Sequence, residues 1–293
     1  MRAAAASNLE SARLRSEERT ASLMRKCLLT LVAVLLIPLA LTGKQEPTAA
    51  PPNKANAASA SEFKRLVTEL LRHRTGTGES NDEAARLQGS ALEILDSIVL
   101  DGLNAASGPS PETLRQQLSG LAGQTATVGQ GYELIPLGGT PEVYSLAANF
   151  GSSGPSAVRL YASSGDQYRL AGRIDVVAQA DYFDDHLTVL PLANSSTAGE
   201  IVFLTVTGRT DEYLTGVFAA WKFASGKVQE IWATDLMPHS TYEVRSDGIE
   251  IKYCSEAVED NPQACARMAR ERYAWSGSVW KRVEQTDLGP PKS

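Results

Sequence analysis

Beyond Tyr132 the chain is written in short runs of β-branched and aromatic residues broken by turn residues, and this pattern limits the fold more than any other feature. Residues 143–150, 157–162, 168–176, 187–192, 201–207, 216–223, 228–233, 241–245, 249–254, 272–275 and 279–284 each read as a strand. About ten strands in roughly 150 residues leave little room for crossover helices, so neighbouring strands are expected to run antiparallel, as meanders and hairpins. All 4 Trp and 9 Tyr fall in this half, the first of them at Tyr132.

Three of the turns share one pattern: Tyr161, Ser164, Gly165 and Leu170; Phe223, Ser225, Gly226 and Trp232; Trp275, Ser276, Gly277 and Trp280. Each has an aromatic side chain entering a Ser-Gly turn and a large apolar one leaving it. The recurrence resembles that of propeller blades. An open sheet, a sandwich and a barrel use the same turn residues and stay open as alternatives. Three units are too few for a closed ring, so a true repeat here implies an incomplete ring or stacked sheets. Asp247-Gly248 adds the dipeptide typical of a two-residue hairpin loop.

The preceding stretch has helical periodicity. Phe63, Leu66, Val67, Leu70 and Leu71 form one apolar stripe, with Ser61 as its cap. Ala84, Leu87, Ala91, Ile94, Leu95 and Ile98 form a second, opened by a capping box of Ser80 and Glu83 and ending near Gly102. Ser110 and Pro111 begin a third, with Leu114, Leu118 and Leu121, stopped at Gly123. These stripes are too small to stand alone. The expected fold is therefore α+β: a short N-terminal helical segment (62–123) packed on a mostly antiparallel β domain (132–288).

Residues 44–61, rich in Ala, Pro, Asn and Ser, read as a linker that cannot bury enough surface to order itself. Residues 1–43 read as an N-terminal extension and an export signal. Arg25 and Lys26 precede an apolar run from Cys27 to Leu41, and small residues follow. Pro38 late in the run favours cleavage, whereas Leu41 before Thr42 and Gly43 makes a poor exit site and keeps an uncleaved signal anchor open. In the anchored form the run touches the inner membrane. Met24 is expected to be the true start, because residues 1–23 carry no apolar face. The chain is thus expected to be periplasmic, secreted or membrane-anchored.

A net charge of −6 excludes nucleic acid as a partner, since phosphate binding needs clustered Lys and Arg. Setting aside residues 1–43 makes the chain more acidic still. With Cys27 in the signal, Cys254 and Cys265 are the two cysteines left, and an oxidising compartment makes them a disulfide that pins a polar insertion containing Glu259, Asp260, Asn261 and Pro262.

Site candidates are weak. Asp181, Asp184 and Asp185, with His186 beside them, could ligate a hard cation, but the bend glycine and closing glutamate of a calcium loop are missing, so a solvated loop is expected. His73, between Arg72 and Arg74, suits a helix C-terminus, and His239 follows Pro238 in a loop. No pair of histidines or C-x-x-C has zinc spacing, and Gly151-Ser152-Ser153-Gly154 lacks the order of a nucleophile elbow. No cofactor and no catalytic residue is expected. Glu200, Asp211 and Glu212 flank one strand pair and could supply a carboxylate dyad. Trp221, Trp232, Trp275 and Trp280 could make an aromatic binding surface, although alternation places Trp221 with Val217, Ala219 and Phe223 on a core-like face. The leading expectation is a non-catalytic exported binding or structural module of the periplasm or cell envelope, facing an envelope protein or polysaccharide. The alternative is an extracytoplasmic hydrolase using Asp184, Asp185 and Glu200.

Overall fold

The computed structural model describes residues 54–73, 79–106, 110–125, 130–151, 155–176, 186–192, 199–210 and 214–291. The export segment and the acidic triplet Asp181, Asp184 and Asp185 lie outside these residues. Three helices come first: α1 (Lys54–His73), α2 (Glu79–Leu103) and α3 (Pro111–Thr125). Helix α1 begins at Lys54, so residues 54–61, expected as linker, are its opening turns, and Ser61 lies inside the helix instead of capping it. At α3 the expected cap is present: Ser110 Oγ accepts from the Thr113 amide at 3.4 Å. No helix among the described residues is long and apolar enough to cross a membrane.

Among the described residues twelve antiparallel strands follow, and the architecture is α+β. They are β1 (Gln130–Gly138), β2 (Val143–Phe150), β3 (Ser156–Ser164), β4 (Gln167–Val176), β5 (His186–Pro191), β6 (Glu200–Thr210), β7 (Leu214–Ala224), β8 (Lys227–Ala233), β9 (Met237–Arg245), β10 (Gly248–Val258), β11 (Asn261–Trp275) and β12 (Trp280–Gly289). One sheet has the order β1-β2-β3-β4. The other runs β12-β11-β10-β9-β7-β6-β5, with β8 paired to β7. The second sheet is two meanders, β5–β8 and β9–β12, joined where Leu214 and Gly216 of β7 meet Ser240 and Met237 of β9. The sheet folds over at this join, because Trp232 of β8 lies 4.4 Å from the Tyr273 ring of β11 and 5.4 Å from the Trp280 ring of β12.

Beyond the helices, the strands of the described residues thus form three successive four-stranded meanders. Each carries its Ser-Gly turn between its third and fourth strands: Gly165 between β3 and β4, Gly226 between β7 and β8, Gly277 between β11 and β12. Ser225 and Gly226 both have positive φ (52° and 73°), the backbone of a type I′ turn whose twist matches the strands it joins. The meanders stack in layers. Strand alternation sends Tyr144, Leu146, Ala148 and Phe150 of β2 to one face and Val143 and Ala147 to the other. The first face packs on the helices through Phe63, Leu70, Leu95 and Leu118. The second packs on Ile201 and Phe203 of β6 and Phe223 of β7. Strand β6 is buried on both faces, and its Val202, Leu204 and Val206 point the other way, into a core shared with Ile249, Ile251, Tyr273 and Trp280 of the last meander. The order of layers is helices, β1–β4, β5–β8, β9–β12.

Two local expectations are corrected. The loop between β9 and β10 is Ser246 and Asp247, flanked by the pair Arg245 and Gly248, so Gly248 is a ladder residue and not a turn residue. Glycine is required there because a Cβ would lie 1.9 Å from the Tyr273 carbonyl oxygen. The polar insertion around Glu259 is likewise no loop. Strands β10 and β11 continue through it to a tight turn at Glu259 and Asp260, and the disulfide between Cys254 and Cys265 crosslinks the two strands, Cα to Cα 5.6 Å apart. The ladder shifts register three times beside Cys254, Glu256 and Ala257, so backbone pairing is weakest where the covalent link sits.

Candidate functional site

Two buried charged centres stand out, one in each half of the stack. In the first, β3 alternation carries Arg159 and Tyr161 to the helix-facing side, under α2. The Tyr161 hydroxyl donates to Asp96 Oδ1 of α2 at 2.6 Å. The Arg159 guanidinium lies 3.9 Å from Asp96 Oδ2 and 2.8 Å from Asp175 Oδ1 of β4. Arg159 and Asp96 side chains are only 6% and 13% exposed. Burial raises the Asp96 carboxyl above the ordinary aspartate range, against the lowering effect of the Tyr161 hydrogen bond and the Arg159 charge. The Tyr161 phenol is pushed well up by its own burial and by the neighbouring Asp96.

The second centre is Glu271 of β11, whose side chain is 4% exposed. It accepts hydrogen bonds from the hydroxyls of Tyr253, at 3.1 Å, and Tyr273, and it pairs with Arg282 of β12 at 2.8 Å. Beside it, the Trp232 ring packs at a tilt against both Tyr273 and Trp280, and Trp275 sits across from Trp280 in the ladder. The Trp280 indole N–H is buried without an acceptor among protein atoms. Replacing Glu271 with Ala is expected to cost about 2 kcal/mol, because two tyrosine hydroxyls lose their acceptor while half-exposed Arg282 can turn to water. Chemical denaturation of Glu271→Ala against Glu271→Gln measures this; equal midpoints for Ala, Gln and the parent would show that the centre contributes nothing.

The expected site residues fall as follows. Trp232, Trp275 and Trp280 do come together: Trp280 is buried in the core between the second and third meanders, and Trp232 and Trp275 pack against it, each partly exposed. Trp221 is elsewhere, in the core against the first meander, where its indole N–H donates to Thr205 Oγ1 at 2.8 Å. Glu200 opens β6 and pairs with Lys222 at 3.2 Å. His73 ends α1, as a helix-end histidine should. Among the described residues no group of three or more His, Cys, Asp or Glu is placed to hold a metal ion. Asp96 and Glu271 were not singled out from the sequence. Their signal was an Arg or Glu in phase with buried strand neighbours: Arg159 between Ala157 and Tyr161, Glu271 two residues before Tyr273.

A third polar feature is open to solvent. On the outer face of the last meander, Arg245, Asp247, Glu250, Arg272 and Glu284 ring a shallow concavity of about 410 Å³. Its charges are paired within the ring and around it: Arg272 with Asp247 at 3.0 Å, Arg245 with Glu250 at 3.4 Å and Glu243 at 2.9 Å, and Glu284 with Arg270 at 2.7 Å. No protein-family model, curated protein or solved structure matches the chain.

Proposed function

We propose that the chain is an exported, non-catalytic binding or structural module of the periplasm or cell envelope. The observation that carries this reading is the use made of the buried acids. Asp96 joins the helices to the first meander, accepting from the Tyr161 hydroxyl beside the charge of Arg159, and both oxygens of Glu271 accept from tyrosine and arginine donors on three strands of the last. Carboxylates so committed hold layers together; a general acid or base needs a free face toward a substrate. The Cys254–Cys265 disulfide supports an oxidising compartment, reached through the apolar run that starts at Cys27.

The rival reading, an extracytoplasmic hydrolase, rests on Asp184, Asp185 and Glu200, and the Lys222 pairing of Glu200 weighs against it. The purified, oxidised protein is expected to show no turnover on a panel of polysaccharides, peptides and esters. Turnover that is abolished by Glu200→Gln with the melting temperature unchanged would replace the proposal by the hydrolase. Turnover that survives that substitution would also refute the non-catalytic reading and move the search to other residues.

A further inference from the structure

The layered stack ends differently at its two sides. Helices cover the outer face of the first meander, while among the described residues nothing covers the outer face of β9–β12, where Glu243, Arg245, Lys252, Lys281 and Glu284 are all exposed. Inward alternation of Tyr242, Ile249, Ile251 and Tyr273 fixes which side chains point outward. The ladder registers then arrange them in rows across the four strands. One row is Arg245, Gly248, Ala274 and Lys281. The next is Glu243, Glu250, Arg272 and Glu284, and the one after is Thr241, Lys252, Arg270 and Thr286. Asp247 stands in the turn before the first row. The face is therefore banded along the strands: acidic at the turn, then basic, mainly acidic and basic rows, the rows about 7 Å apart.

We propose that this face is a self-complementary interface with a second copy of the chain. A two-fold axis lying in the face, perpendicular to the strands and between the Arg245 row and the Glu250 row, sets every band against one of opposite sign. Arg245 then meets the partner's acidic row on the same strand, Lys281 meets it at the Glu284 position, and the turn acid Asp247 meets the basic row. The concavity has a place in this arrangement. It lies beside Gly248 and Ala274, the two small residues paired in the first row, and across the axis these face the long side chains of the second row, Glu250 and Arg272. One surface patch meeting itself about a two-fold is the ordinary form of a homodimer contact.

Two further observations favour the face over other routes. The chain carries −6 overall, so copies repel in general, whereas on this face basic and acidic side chains nearly balance. The open edge of β12 is ill suited to strand pairing: it has a register shift between Arg282 and Glu284, and Lys281, Arg282, Glu284 and Asp287 line it. The face offers about 500 Å² per copy, below the usual size of a stable interface, so the dimer is weak and sensitive to salt. It is independent of whether the module is catalytic.

Sedimentation of the full, oxidised chain tests the proposal. A monomer–dimer equilibrium is expected at about 50 mM salt, weakened tenfold or more at about 500 mM. Lys281→Glu and Glu284→Lys, each alone, place like charges across the axis and should abolish the dimer. The double variant restores opposite charges and should restore it, a rescue that damage to the fold would not give. A monomer at every salt and concentration overturns the proposal. So does a dimer indifferent to both single substitutions, which would place association on another surface.

Discussion

Removing residues 1–129 is expected to leave a product without a cooperative melting transition. The deletion keeps all twelve strands but strips the helices from the first meander, uncovering Tyr132, Leu134, Tyr144, Leu146, Phe150 and Tyr161 on one continuous face. These side chains now pack on Phe63, Leu66, Leu95 and Leu118; the Phe63 ring alone sits 5.4 Å from Tyr132 and 6.5 Å from Phe150. Each large apolar side chain so exposed loses about 1.5–3 kcal/mol of burial, and six of them exceed the whole stability of an ordinary domain, about 5–15 kcal/mol, or come close to it. The loss also orphans Arg159, which would face water with Asp175 alone. Calorimetry of the deleted protein against the parent decides it. A sharp transition at the parent's temperature would mean that the helices and the strands are independent domains.

How much of this was legible depends on where polar residues sit relative to the layers. Strand β2 reads from the sequence residue for residue, because both its faces are buried and every position except Asn149 is apolar, aromatic or small. Strand β1 was missed, since Pro136 and the pair Gly138-Gly139 look like breakers; as an edge strand β1 loses no ladder bond to a proline, and its register shifts beside Pro136. The first half of β11 was missed for a different reason. Its segment from Asn261 to Arg267 is polar because it forms a hairpin tip that outruns the core, held by the disulfide more than by burial. Propensity has no access to that covalent link.

The recurring Ser-Gly turns were the most informative local signal. They mark the same step in each meander, which is why they recur at the spacing of a four-stranded unit, and the stacked, unclosed arrangement was one of the outcomes open from the sequence. The buried acids were the least legible. Asp96 lies on a helix beside exposed Glu93 and Ser97, and its partner Tyr161 is 65 residues away. Nothing in the local spacing of α2 distinguishes it from a solvated carboxylate. Likewise alternation along single strands could not tell whether the tryptophans form a surface or a core; the folding-over of the second sheet, invisible in any local window, buries Trp280 and packs Trp232 and Trp275 against the same core.

Asp96→Ala is expected to destabilise the protein by about 3 kcal/mol, because it leaves the fully buried Tyr161 hydroxyl without an acceptor and a buried arginine with one carboxylate instead of two. Asp96→Asn separates the hydrogen bond from the charge. Asparagine still accepts from Tyr161 through its carbonyl oxygen, so the variant tests what ionisation itself contributes. In the folded chain the Asp96 carboxyl titrates above its ordinary value of 3.8, since the cost of desolvating the anion outweighs the help from Tyr161 and Arg159. A carboxyl raised in this way contributes stability that is fully present below its unfolded value and is lost as pH rises through its folded value. The parent therefore carries the ionisation cost at neutral pH, and asparagine does not. The melting temperature of Asp96→Asn relative to the parent should rise as pH increases from below 3.8 to neutral. A relative fall over the same range would mean that the attraction of Arg159 exceeds the desolvation cost, and that Asp96 is held as an anion by its ion pair.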